Sequence, residues 1–159
     1  MESEIRPFNM PVKQPSLKSF IESNPTAQIG QGASDNQITT AEREIGVTFP
    51  SVFRSYLAEL GYLEFRSAEF YGLGVGVPPH LDLVRNTIAE RTEFHPHIPA
   101  HLIPFMSNGG GDHYCVDLNT HADDPPVVFW DHELDTTQQP QKLADTFSSW
   151  LLHHHDEWA

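Results

Sequence analysis

Ten histidines and a run of closely spaced carboxylates are the residues of this chain best equipped for chemistry. His95-x-His97 with His101 nearby, and the triplet Asp131-His132-Glu133, carry donors of the kind that bind a divalent metal. His113-x-Cys115-x-Asp117 gathers an imidazole, a thiol and a carboxylate, the residue types of a nucleophilic triad. Gly72-x-Gly74-x-Gly76 and Gly109-Gly110-Gly111-Asp112 could each turn backbone N–H groups toward an anion.

The spacings weaken each reading. A zinc site needs three or four ligands in a fixed shell, and neither a His-Glu-x-x-His helix nor a paired Cys motif is present. Solvated loop histidines are the expectation. On a strand, His113, Cys115 and Asp117 stand on one face in a row about 7 Å apart, beyond the reach of a nucleophile and its base. Cys115 is expected to be a packed, inert thiol. Neither glycine run leads into a phosphate loop, so both are expected to be turns or bulges. His153-His154-His155 reads as the frayed end of a helix. No catalytic residue, cofactor or resident metal is expected.

The elements that must position these groups follow from periodicity. Ile103-Pro104-Phe105, Tyr114-Cys115-Val116-Asp117-Leu118 and Val127-Val128-Phe129-Trp130 are three apolar runs separated by turn residues, an antiparallel meander. Tyr62–Phe65 and Glu69–Tyr71 read as two further strands. Leu17, Phe20 and Ile21 mark a first short helix, and residues 25–33 a loop. Ser34 with Gln37 forms a capping box for a helix carrying Ile38, Ala41 and Ile45, closed by Gly46. Phe53, Tyr56, Leu57 and Leu60 mark the next helix. A helix is expected over Leu81–Phe94 through Val84, Thr87, Ile88 and Arg91, and a last one over Leu143–His153 through Leu143, Phe147, Trp150 and Leu151. The order implies an α+β single domain, a mostly antiparallel sheet with helices packed on one face. Residues 1–15 read as an extended arm, 16–155 as the domain and 156–159 as a tail.

Composition narrows the partners. The 159 residues carry a formal net charge of -13 and a single cysteine. One cysteine cannot form an internal bridge, and no apolar run approaches membrane-spanning length. An acidic N-terminus without an apolar segment behind it does not read as a signal peptide, so a cytoplasmic location is expected. The charge argues against direct contact with nucleic acid or anionic membrane and favours a basic protein partner. From Gly109 onward Lys142 is the one Lys or Arg, among ten Asp and Glu.

The helix-link-helix Ile38-x-x-Ala41-Glu42-x-Glu44-Ile45-Gly46-Val47-x-Phe49-Pro50-x-x-Phe53-x-x-Tyr56-Leu57 resembles the opening of the SUKH superfamily of Smi/Knr-type domains. An acidic residue in the first helix, met by Glu42 or Glu44, then glycine, an apolar residue and proline carry the likeness. The meander and Ala144-Asp145-x-Phe147-x-x-Trp150-Leu151 resemble the family's sheet and closing helix. Two departures stand out: Glu59-Leu60-Gly61-Tyr62 lacks the family's usual Asn-Gly, and the N-terminal arm and histidine tail are extra.

The resemblance implies a non-catalytic binding protein. Bacterial members are mostly immunity proteins that neutralise a cognate polymorphic toxin, often a nuclease, in the producing cell. Fungal members are regulatory scaffolds, and a metal-dependent hydrolase is the remaining alternative. A nuclease domain is basic because it binds phosphate, so the acidic loops are the expected docking surface. Asp112, Asp123, Asp124, Asp131, Glu133 and Asp135 are the expected steering and rim residues. Trp130 is a candidate central anchor, with plain sheet core as its other reading.

Overall fold

The structure is a computed structural model that describes residues 17–154 and 158. The expected arm over residues 1–15, Ser16, His155 and most of the tail lie outside the described residues, as do the side chains of Phe20 and Ile21.

The chain opens with α1 (Leu17–Glu22) and a two-residue strand β1 (Gln28–Ile29). The capping box then forms as expected: the Ser34 hydroxyl accepts from the Gln37 N–H, and the Gln37 side chain accepts from the Ser34 N–H. It starts α2 (Asp35–Ile45), which Gly46 ends in the left-handed conformation, φ 81°. α3 (Ser51–Leu60) follows from Pro50 and buries Phe53, Tyr56, Leu57 and Leu60. Glu42 joins the two helices. Its carboxylate accepts from the Phe49 N–H at 2.6 Å and from Arg54 at 2.8 Å, while Arg54 also reaches Asp35 at 2.6 Å. Of the two acidic residues open in the sequence, Glu42 therefore fastens the hairpin, and Glu44 is exposed.

β2 (Leu63–Phe65) and β3 (Ala68–Phe70) form a hairpin, after which the chain passes Gly72. A Cβ at Gly72 would lie 1.7 Å from the Gly61 carbonyl oxygen, so only glycine permits this approach. The Gly-x-Gly-x-Gly run thus begins as a packing device. The expected helix over 81–94 divides. A short 3-10 turn (Pro79–Leu81) precedes α4 (Leu83–Thr92), because Asp82 takes the N-cap position and accepts from the Arg85 N–H at 2.9 Å. α4 buries Leu83 and Thr87, whereas Ile88 is exposed.

The meander follows as β4 (Leu102–Ser107), β5 (His113–Asp117) and β6 (Val127–Trp130). β7 (Gln141–Ala144) pairs with β6, and α5 (Phe147–His153) closes the described body. Here the expected helix over Leu143–His153 is corrected: Leu143 lies on an edge strand. The spacing Leu143, Phe147, Trp150, Leu151 imitates one helical stripe. Pairing with β6 takes residues 141–144, and Thr146 starts the helix by accepting from the Ser149 N–H. The loop expected over 25–33 likewise contains β1, paired to β2.

All seven strands lie in one sheet in chain order, each antiparallel to its neighbours. The α+β fold is thus as expected. Phe53, Tyr56, Phe70, Phe105, Phe147 and Trp150 fill the core between the sheet and α3 and α5. Trp158, beyond the expected domain edge, joins this core and donates from its indole N–H to the Trp150 carbonyl. A smaller cluster of Ile98, Leu102, Cys115, Val128 and Trp130 covers part of the other face, which α4 approaches. Among the described residues no helix is long and apolar enough to cross a membrane.

Candidate functional site

The meander decides where the acidic residues go. The β4–β5 turn and the β6–β7 loop leave the same end of the sheet. They carry Asp112 and the group Asp131, Glu133 and Asp135. Asp123 and Asp124 lie in the β5–β6 connection, at the opposite end. The length of β6 separates the two groups, roughly 13 Å at about 3.3 Å per residue. The acidic loops expected to form the docking surface therefore fall into two groups, one at each end of the sheet.

Most of these carboxylates hold their own loops. Asp112 accepts from the His132 ring at 2.7 Å and the His132 N–H at 2.9 Å, and from Asn108 at 2.9 Å. Burial opposes ionisation of Asp112, but these hydrogen bonds outweigh it and hold the carboxyl below its usual range. The same bond raises the His132 imidazole above its ordinary value. Asp131 accepts from the Glu133 N–H, and Asp135 from the Thr137 N–H and hydroxyl. Asp124 accepts from the Ser148 N–H, in the first turn of α5. Only Asp123 and Glu133 of the six are exposed without a side-chain role given to their own fold. Leu134, beside Glu133, is 52% exposed. Of its two readings Trp130 takes the core one: it is 1% exposed, because strand alternation turns it into the second-face cluster with Cys115 and Val128.

A cleft of about 350 Å³ opens at the Asp112 end, lined by residues that include Tyr71, Glu90, Phe94, His113 and His132. Sequence reasoning did not find it, since Tyr71, α4 and β5 meet only through the fold. Register places His113 opposite Ser107 on β4 and Trp130 on β6. Its Nε2 lies 3.1 Å from the Tyr71 hydroxyl, and its Nδ1 lies 3.7 Å from Glu90 without a hydrogen-bond partner. Burial lowers the His113 pKa to about 4 despite the Asp112 charge, so the ring is neutral at pH 7. Burial also raises Glu90 and Tyr71.

The chemistry weighed from spacing fares as expected for the thiol. Cys115 is fully buried, and burial pushes its pKa far up, which leaves it unreactive. The His95 and His97 rings lie against each other, tilted by 34° with centroids 4.3 Å apart, and no three-ligand group with His101 forms among the described residues. Donor atoms of Asp112, Asp131 and His132 lie within 4.8 Å of one another and are the described residues that could hold a divalent cation. Their hydrogen bonds to the loop already occupy Asp112 and one oxygen of Asp131.

Residues 35–151 match the model of a protein family described as SMI1-KNR4 cell-wall. No curated protein matches the chain significantly. Among solved structures, a protein from Pseudomonas syringae pv. tomato is similar at a TM-score of 0.57 and 20% identity, covering 82% of this chain and 85% of that one. That likeness bears on the fold alone. The family match spans the capped helical hairpin, the whole meander and most of the closing helix, and on that ground the chain belongs to the SMI1-KNR4 family.

Proposed function

We propose that this protein is a non-catalytic immunity protein that acts in the cytoplasm of the producing bacterial cell, binding a cognate toxin, a basic nuclease domain, and neutralising it. The observation that carries this reading is the family match over residues 35–151. The net charge of -13 supports a basic partner, because complementary charge speeds encounter. The docking end of the sheet is the one bearing Glu133, Leu134 and Asp135. An exposed leucine flanked by carboxylates combines an apolar contact with a steering rim.

The experiment is co-expression of the full chain with the toxic domain encoded beside it. Survival of the cells and a one-to-one complex on purification are expected; death of the cells with no complex would refute the reading. Association rates then locate the surface. Glu133→Lys should slow association and flatten its salt dependence, while Asp123→Lys, at the other end, should leave both unchanged. The reverse pattern would move the surface to the Asp123 end.

A further inference from the structure

Glu90 is an anomaly in this fold. Its side chain is 15% exposed, and its carboxylate faces a cleft. A carboxylate taken out of water normally finds a cation or several hydrogen-bond donors. Among the described residues no Lys or Arg lies within ion-pair distance of it. Arg91, the adjacent base, is committed elsewhere: it donates to the Ile45 carbonyl at 2.7 Å and the Ala100 carbonyl at 2.9 Å.

The titratable groups around Glu90 are Tyr71, His113, Cys115, His132 and, in the lining of the same cleft, His95. The first three are neutral at pH 7, since burial raises the phenol and the thiol and lowers the imidazole. His132 and His95 are the cationic candidates; Asp112 already holds the His132 ring at 2.7 Å, and the His95 ring lies against that of His97 at 4.3 Å between centroids. The cleft therefore carries a mostly buried carboxylate without a committed counter-charge.

The walls say which cation fits. Phe94, four residues after Glu90, is 55% exposed at the cleft although it is large and apolar. An exposed aromatic ring beside a carboxylate suits a planar guanidinium, which stacks on the ring and presents a donor fork to the oxygens. The volume of about 350 Å³ is at the small end of ligand pockets, roughly 300–1,000 Å³. It suits one side chain.

We propose that this cleft receives an arginine side chain of the protein partner, its guanidinium paired with Glu90 and stacked on Phe94. The identity of that partner as a toxin rests on the immunity reading; the arginine site does not. A protein-borne arginine is favoured over the free amino acid, because a cleft of about 350 Å³ suits the side chain alone, and the opposed charges of the free α-ammonium and α-carboxylate gain nothing net from the acidic rim.

The test is an amide-resonance titration of the full chain with blocked arginine (acetylated and amidated), blocked citrulline and free L-arginine. Blocked arginine should give saturable shifts centred on Phe94, Gly111 and His113. Citrulline, the uncharged counterpart, should give none, and free arginine should bind more weakly. Glu90→Gln should weaken blocked arginine by about tenfold, the scale of a charge-assisted hydrogen-bonded pair. Phe94→Ala, at an exposed position, should weaken it less and keep the fold.

A charge-stabilising role within the fold alone would instead leave Glu90→Gln with lower thermal stability and no binding phenotype. The absence of saturable shifts, equal response to citrulline, tighter binding of the free amino acid, or an unaffected Glu90→Gln would each overturn the proposal. Arginine binding with failed co-expression would sink the toxin and keep the site. Rescue of the cells without arginine binding would do the opposite.

Discussion

The two faces of the sheet are built to different standards. The face under α3 and α5 is closed by aromatic rings. Phe147 alone lies 5.1 Å from Phe105, 5.2 Å from Phe53 and 5.6 Å from Tyr56. Its buried hydroxyl, that of Tyr56, donates to the Tyr71 carbonyl. The other face has a small apolar cluster and then a cleft lined in part by His113, whose Nδ1 has no hydrogen-bond partner; Thr87 Oγ1 on α4 and Trp130 Nε1 within the cluster have none either. The first face leaves Trp150 Nε1 in the same condition, but the second gathers several such atoms beside the mostly buried carboxylate of Glu90. Departures gathered in this way are where function is expected.

The comparison breaks most directly in the core. Phe147→Ala should destabilise the protein by about 3–5 kcal/mol, read by urea denaturation, because it removes a ring packed on three others. On the second face Trp130→Phe should cost less than about 1.5 kcal/mol, since the indole N–H it removes makes no bond. Equal costs would erase the distinction.

His113 should dominate the acid response of the second face. Its folded pKa of about 4 lies below the ordinary 6.5, so the unfolded chain binds the proton more tightly. The stability it contributes is fully present above 6.5 and is lost as pH falls from there through about 4. The loss approaches roughly 3 kcal/mol, and His113→Gln should flatten the profile across that window. A variant that keeps the wild-type slope would assign it to other groups.

Glu42→Ala should cost about 2 kcal/mol by freeing a backbone N–H and an arginine at once. Glu44→Ala, exposed on the same helix, should be within about 0.5 kcal/mol of wild type. Glu90→Gln should have the opposite sign, raising stability at neutral pH by about 1 kcal/mol. The raised Glu90 pKa means that its ionisation penalises the fold above that pKa, so the gain should shrink as pH falls through it. Glu133→Lys should change stability least, by under about 0.5 kcal/mol, while altering association.

Much of the scaffold was legible. Ser34 and Gln37 sit three apart, and the capping box forms there. Gly46 stands where a helix needs a left-handed residue, and it adopts φ 81°. The alternation through residues 113–116 reads correctly as one strand with two faces. Leu143 is ambiguous in the sequence because one apolar position suits a helix stripe and an edge strand equally, and only pairing with β6 separates them. Trp158 reads as tail in the sequence, since nothing local distinguishes an anchoring tryptophan from a frayed one.

The site was less legible for a related reason. Asp112, Asp124 and Glu133 are interchangeable as letters. Tertiary contact makes the first a clamp on His132, the second a cap on α5 and leaves the third in solvent. Capping, turn geometry and strand alternation depend on neighbours within a few residues, where steric exclusion and local hydrogen bonds act, so the sequence by itself determined them along with the excess of negative charge. Which loops share an end of the sheet, which carboxylate is buried, and that Tyr71, Glu90 and His113 meet in one cleft were decided only by the tertiary structure. Those outcomes depend on strand register and on desolvation, which act between residues distant in the chain.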